Sequence, residues 1–480
     1  VLLFVLQEEI VMDRAKLLGR EKITKLLIKF SVPSVIGMLV NALYNVVDSF
    51  FVGNYVGQIG LTAVSFAMPV MIVQMAVGFM IAIGGLTLIS IRLGQKRNDE
   101  AERIMNCAVL LSVIVGIIVN IVTIAFLTPI LQAMGAEAAV VSYSYDFTYT
   151  IMFGSVFMFV GWGLNSFMRG EGNPRMSMVV MLASAVINAC LNPLFIVYLG
   201  LGIQGSALAT VIAQFSTMLI GIFYFRSKRS VLKLRGDYLR LSYKYVRDIL
   251  VNGMPQFLIQ TAAGVVVVIY NGALLKYGGD TAVAAGGIVN RIAMLFFMPI
   301  FGVNQGAQPI LGYNYGAHNF HRVYETLRKA IVLAVIIATT GFVMTRLIPE
   351  QMVAIFCNDS LLIKEGAHGL ILNLFFMPFI GYQIISSMFF QAIGKPKLSS
   401  VLTLSRQVII LIPALLMMPL LYGLDGVWLA GPVADMTSTI ITSVMVWREI
   451  RSLKSKQAKV DAERHLEDLP DLQLPDTRAI

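Results

Sequence analysis

Charge is scarce in this chain: only 13% of its 480 residues are Asp, Glu, Lys or Arg, while 57% are hydrophobic and the mean hydropathy is +0.77. A water-soluble globule of that length and apolarity is excluded, and the chain must be an integral membrane protein. Cysteine is nearly missing too. Cys107, Cys190 and Cys357 are far apart with no CxxC spacing, which rules out a disulfide framework or a zinc site and leaves them as small buried hydrophobes. The four histidines, His318, His321, His368 and His465, fall in loops, near span ends or in the tail, and no HExxH run occurs. An intramembrane enzyme therefore has no constellation to work with. No GxxxxGK[ST] run is present either, so a fused ATPase is excluded.

Long apolar runs fill the space that charge leaves. Windows of about 20 residues give twelve spans between residues 30 and 447. The 37 Lys and Arg residues are sorted by connection: alternate loops and both terminal segments hold nearly all of them, eight in 226–248 alone, and the opposite loops hold none. By the positive-inside rule both termini are cytoplasmic, in a plasma membrane whose anionic lipid adds to the attraction. The net charge of +10 is thus a topology signal. It does not indicate nucleic acid, since no basic segment is interleaved with aromatic residues on a foldable domain.

The spans repeat. Arg169-Gly-Glu-Gly-Asn-Pro-Arg-Met-Ser reappears 222 residues later as Gln391-Ala-Ile-Gly-Lys-Pro-Lys-Leu-Ser, and Val32-Pro33 is answered by Met254-Pro255 at the same offset. Gly202-Ile-Gln-Gly205 is answered by Gly423-Leu-Asp-Gly426 at 221. Six spans have been duplicated, and an even-numbered unit makes both copies run in the same direction, related by a pseudo-two-fold axis along the membrane normal. The expected organisation is an N-terminal segment 1–29, a first lobe 30–225, a basic connection 226–248 containing a surface helix, a second lobe 249–447, and a disordered tail 448–480.

Asp48 lies inside the first apolar run, where a carboxylate costs a few kcal/mol unless it is paired, solvated or neutral. Asn41 and Asn45, seven and three positions earlier, share its helical face. Counting from the expected outer ends puts Asp48, Asn192 and Thr210 within roughly 7 to 11 Å of the rim, with Asn188 one turn deeper than Asn192 on the same face. An acid among amide and hydroxyl oxygens can take up a proton or hold a small hard cation, and either makes it a coupling site. The asparagines and Thr210 also suit simple helix bridging. In the second lobe, Arg291 and Asp435 lie at matching depth and are expected to pair; Gln214 is the repeat partner of Asp435, Arg406 is placed to snorkel to the inner surface, and Gln308 adds a further polar group.

These pieces resemble the multidrug and toxic compound extrusion (MATE) family, in its DinF-like and MepA-like branch. The motifs carrying the resemblance are Asn45-Val-Val-Asp-Ser-Phe-Phe-Val-Gly53, Arg169-Gly-Glu-Gly-Asn-Pro174, Asn188-Ala-Cys-Leu-Asn-Pro-Leu-Phe-Ile196 and Asn304-Gln-Gly-Ala-Gln-Pro-Ile-Leu-Gly-Tyr-Asn-Tyr-Gly316. The resemblance implies an all-α membrane protein of two six-helix lobes, exporting drug-like, often cationic compounds in exchange for protons or sodium, with no other cofactor. It implies that Asp48, Asn188 and Thr210 match a cation site, where sodium would bind. Many relatives carry an acid where this chain has Asn192, and that loss favours the proton. A monomer is expected. The rival within transport is a flippase for lipid-linked or metabolite substrates, which would line its cleft with several basic residues.

Overall fold

The computed structural model describes residues 17–133 and 138–467; a few side chains within these ranges, Asn45 among them, lie outside the described set. Among the described residues nine helices are long and apolar enough to cross a membrane, ten when a pair bent by 52° is counted as one. In chain order these are α1 (Ile23–Phe51), α2 (Gln58–Gly94), α3 (Asn98–Ala133), α4 (Ala138–Gly170), α5 (Pro174–Pro193), α6 (Gly202–Arg226), α7 (Tyr243–Gly316) and α8 (Phe320–Leu347). The short α9 (Pro349–Ala354) follows, then the bent pair α10 (Ser360–Asn373) and α11 (Met377–Ala392), then α12 (Pro396–Leu404) and α13 (Ile412–Glu467).

The expected twelve spans are recovered at two glycines. At 74 residues, α7 would be about 110 Å long if straight, several bilayers thick. It breaks at Gly279 (φ 66°, ψ −164°), and α13 breaks at Gly423 (φ 57°, ψ −133°). Both conformations are essentially closed to residues with a Cβ, so each glycine turns one apolar run into two antiparallel spans.

Each repeat has its own apolar core, one centred on Ile81, Leu86, Ile104 and Phe167, the other on Ile292, Val303, Phe389 and Trp428. The cores interpenetrate at the end of the bundle that carries Lys and Arg, here called the basic end: Leu27 joins the second core, while Ile249, Ile310 and Tyr313 join the first. Glycine makes this possible. A Cβ on Gly253 would fall 1.8 Å from the Met80 carbonyl oxygen, one on Gly84 2.1 Å from that of Ile249, and one on Gly94 2.0 Å from that of Tyr313. Backbone thus packs on backbone from α2 to both halves of α7. Side chains add ties, with Gln308 Nε2 donating to Thr87 Oγ1 (3.3 Å) and Arg322 Nη2 to the carbonyls of Leu18 (3.1 Å) and Glu21 (2.7 Å).

Two expectations about the flanks are corrected. The connection 226–248 contains no long surface helix: it has a single 3-10 turn, Gly236–Tyr238, before α7 starts at Tyr243. Its path is set by the buried Glu171 carboxylate, which accepts from Ser230 Oγ (2.7 Å), the backbone N–H of Val231 (3.0 Å) and Leu232 (3.2 Å), and the Tyr224 hydroxyl. Burial pushes that carboxyl above the usual range, and the Tyr224, Ser230 and backbone donors pull it back. The tail, expected to be disordered, continues as α13 to Glu467. It docks because Glu449 pairs with Lys395 at 2.5 Å, Leu453 is buried and Gln457 Oε1 accepts from the His321 backbone N–H. Residues 468–480 lie outside the described set. Of the cysteines, Cys107 is buried, Cys357 half-buried and Cys190 exposed, so the expectation of burial fails for Cys190.

Candidate functional site

Three helix ends converge away from the basic end, near the last turn of α1, the last two turns of α5 and the first three turns of α6. Asp48 Oδ1 accepts hydrogen bonds from Ser206 Oγ (2.6 Å) and Asn192 Nδ2 (3.2 Å). Asn192 Nδ2 also donates to Asn188 Oδ1 (2.9 Å), and Asn188 Nδ2 donates to Thr210 Oγ1 (3.4 Å). Asn188, Asn192 and Ser206 are fully buried, and Asn192 Oδ1 has no hydrogen-bond partner among the described residues. The chain of bonds climbs two helices in step, since Asn188 and Asn192 are four apart on α5 and Ser206 and Thr210 four apart on α6. The structure therefore brings together the three residues that depth counting selected and Asn188, which was added as lying one turn deeper on the face of Asn192. Ser206 was missed; its signal was the i, i+4 relation to Thr210.

Thr210 also borders a cavity of about 210 Å³ lined mostly by the first repeat, with Gln305 contributed by the second. Its walls are thioether and aromatic: Met38 and Met75, Met181, and Phe79 stacked on Trp162 at 4.5 Å and 11°. Asn41 lies on the wall, as does Gln214. Arg169 closes the basic end of the cavity. Its guanidinium donates to Asn165 Oδ1 (2.7 Å), Ser177 Oγ (2.9 Å) and Ser166 Oγ (3.0 Å), and Arg169 is only 5% exposed. Read from the sequence as the start of a repeated motif, it is a buried cation of the cavity floor. The Asn45 side chain lies outside the described residues.

The second repeat departs from expectation. Asp435 pairs with Arg406, through Nε at 2.7 Å and Nη2 at 2.6 Å, and not with Arg291, which is exposed. The face was wrong: the buried side of that half of α7 is set by Ala285, Val289, Ile292 and Ala293, and at 100° per residue Arg291 points well away from it. Arg406 does not snorkel, because the π-helical segment Ser405–Leu411 carries it against Asp435. At the repeat offsets of 222 and 221 the counterparts of Arg406 and Asp435 are Ser184 and Gln214, both on the cavity wall. The same place is filled by an ion pair in one repeat and lines a cavity in the other. Gln308 lies in the seam between repeats, not in the cavity.

The MatE family model matches residues 33–194 and 254–416, once in each repeat. Curated relatives include the multidrug export protein MepA of Staphylococcus haemolyticus, 26% identical over 425 residues (88% of this chain, 93% of the relative). MepA of Staphylococcus aureus strain N315 is 25% identical over 428 residues (89% and 94%). Among solved structures, the outward-facing conformation of a multidrug resistance MATE family transporter of the MOP superfamily aligns with a TM-score of 0.87 at 25% identity, covering 91% of this chain and 98% of that one. MATE in complex with MaL6 aligns with a TM-score of 0.86 at 25% identity, covering 92% and 99%. With its family model matched in both repeats and its fold shared with these transporters, the chain belongs to the MatE family, whose members are transporters and not enzymes.

Proposed function

We propose that this transporter is a secondary multidrug exporter that moves amphipathic, often cationic compounds outward in exchange for protons or sodium by alternating access. The observation that carries the reading is continuity: Thr210 is both the last link of the Asp48 network and part of the cavity wall. A change of charge at Asp48 can therefore alter the shape and field of the place where an apolar compound would sit. The walls suit such a compound, since methionines adapt and the Phe79 and Trp162 faces accept aromatic or cationic groups.

The proton is the better fit for the coupling ion. Asn192 already donates to Asp48, and its own Oδ1 has no partner among the described residues. A protonated carboxyl can donate to that oxygen and close a two-bond acid and amide pair, whereas the Asn188 and Asn192 NH2 groups present hydrogens, not oxygens, to Thr210 and Asp48. Sodium held by Asp48, Asn188 and Thr210 would need those amides turned over. With the basic end taken as cytoplasmic, the closed seam faces inward and the site faces the outer side, an outward-open arrangement. The flippase reading has less support, since Arg169 is the one cation on the wall among the described residues.

Ethidium efflux from energised cells tests the reading, with wild type and Asp48→Asn at matched membrane levels and the proton and sodium gradients collapsed in turn. Wild-type efflux should stop when the proton gradient is lost, and Asp48→Asn should reduce it to background. Unchanged efflux in Asp48→Asn would overturn the role of the network.

A further inference from the structure

A groove of about 780 Å³ opens on the outside of the basic end, between the start of α1 and the first turn of α5. Lys22, just ahead of α1, lines one side together with Lys25 and Lys29 of its first two turns, and Arg175 lines the other; Glu21 is the only acid on its wall among the described residues. Glu21 engages Lys25 at 2.7 Å and Lys29 at 3.5 Å. Neither Lys22 nor Arg175 has a carboxylate partner among the described residues. Beside and beyond Lys29 the same wall becomes apolar, with Ile28 54% and Val32 49% exposed. Charge gives way to apolar surface within one turn, as it does between phosphate and acyl chain at a bilayer surface. A second groove, of about 560 Å³, flanks the other side of Arg175 with Val179 and Phe223 exposed beneath it.

The two walls answer to different repeats. The start of α1 is fastened to the second repeat, by Arg322 and Asn314 on the Leu18 carbonyl and by Lys329 Nζ on Thr24 Oγ1 at 2.8 Å. Arg175 stands at the start of α5, in the first repeat. A phosphate between them touches both sides of the seam.

We propose that this groove binds an anionic phospholipid, with its phosphate among Lys22, Lys25 and Arg175 and its acyl chains along Ile28 and Val32, and that this lipid holds the two repeats together at the basic end. A soluble phosphate would leave the apolar wall unused, and a zwitterionic lipid would bring a cation into a basic groove.

The test uses delipidated full-length protein, with lipid binding read by native mass spectrometry and seam closure by hydrogen exchange in residues 84–94. Phosphatidylglycerol should bind and slow exchange; phosphatidylcholine and glycerol 3-phosphate should do neither. Lys22→Gln with Arg175→Gln should weaken phosphatidylglycerol binding by about tenfold or more. The control pair Arg240→Gln with Lys244→Gln removes two exposed cations from the same end of the molecule and should leave binding unchanged. Glu21→Gln, which frees Lys25 and Lys29, should tighten it, and supplies a readout if the double variant does not fold. Equal losses in both double variants would reduce the effect to general attraction and overturn the site; an equal response to glycerol 3-phosphate would overturn the lipid.

Discussion

Ser206 holds Asp48 with the shortest bond in the network, 2.6 Å, and a hydroxyl bonded to a carboxylate contributes about 1.5–3 kcal/mol. Ser206→Ala should lower coupled efflux by about tenfold or more, and Ser206→Thr should restore most of it. The Arg406 and Asp435 pair invites a thermal unfolding comparison. Asp435→Asn leaves the half-buried Arg406 guanidinium without its counter-charge and should cost up to about 3 kcal/mol, whereas Asp435→Leu combined with Arg406→Met should cost much less. Equal losses would show that the pair itself holds the helices together. Asp48, Asn188, Asn192 and Thr210 were legible as one group because the helical rise fixes depth from sequence alone. Ser206 was not, since a serine in a membrane helix is ordinary, and Arg291 misled because depth says nothing about which way a side chain points.

The seam between α2 and α7 depends on the absence of side chains. Gly253→Ala would place a methyl group 1.8 Å from the Met80 carbonyl, so the helices must part; overpacking of this kind costs about 1–3 kcal/mol. Hydrogen exchange in residues 80–94 should speed up, and an unchanged rate would mean that the seam is not close-packed. The connection 226–248 is held differently. Glu171→Ala would leave the Ser230 hydroxyl its bond to the Leu232 carbonyl but strand the Val231 and Leu232 N–H groups, each at about 1–3 kcal/mol if it stays buried. Limited proteolysis should then cut the connection that wild type protects. Spans and their duplication could be read from apolar runs and motif offsets, which are local. The strap could not, because its conformation is imposed by a carboxylate some 60 residues earlier in the chain.

At the scale of the whole molecule the repeats are equal in architecture and unequal in use. The position filled by Arg406 and Asp435 in the second is lined by Ser184 and Gln214 in the first, where the cavity lies. Cyclic separation of the repeats can be tested at Thr87 and Gln308, which meet across the seam. With Cys107, Cys190 and Cys357 replaced, Thr87→Cys and Gln308→Cys should be joined by a short bifunctional thiol reagent, and joining them should stop efflux. Continued efflux in the joined protein would rule out opening at that end. The cavity wall has one more consequence. Met38, Met75, Met158 and Met181 line it, and oxidants convert thioethers into bulkier, strongly polar sulfoxides. The pump is therefore built from a material that peroxide or hypochlorite can spoil from within, and its recovery after such exposure would depend on methionine sulfoxide reductases reaching those side chains or on fresh synthesis.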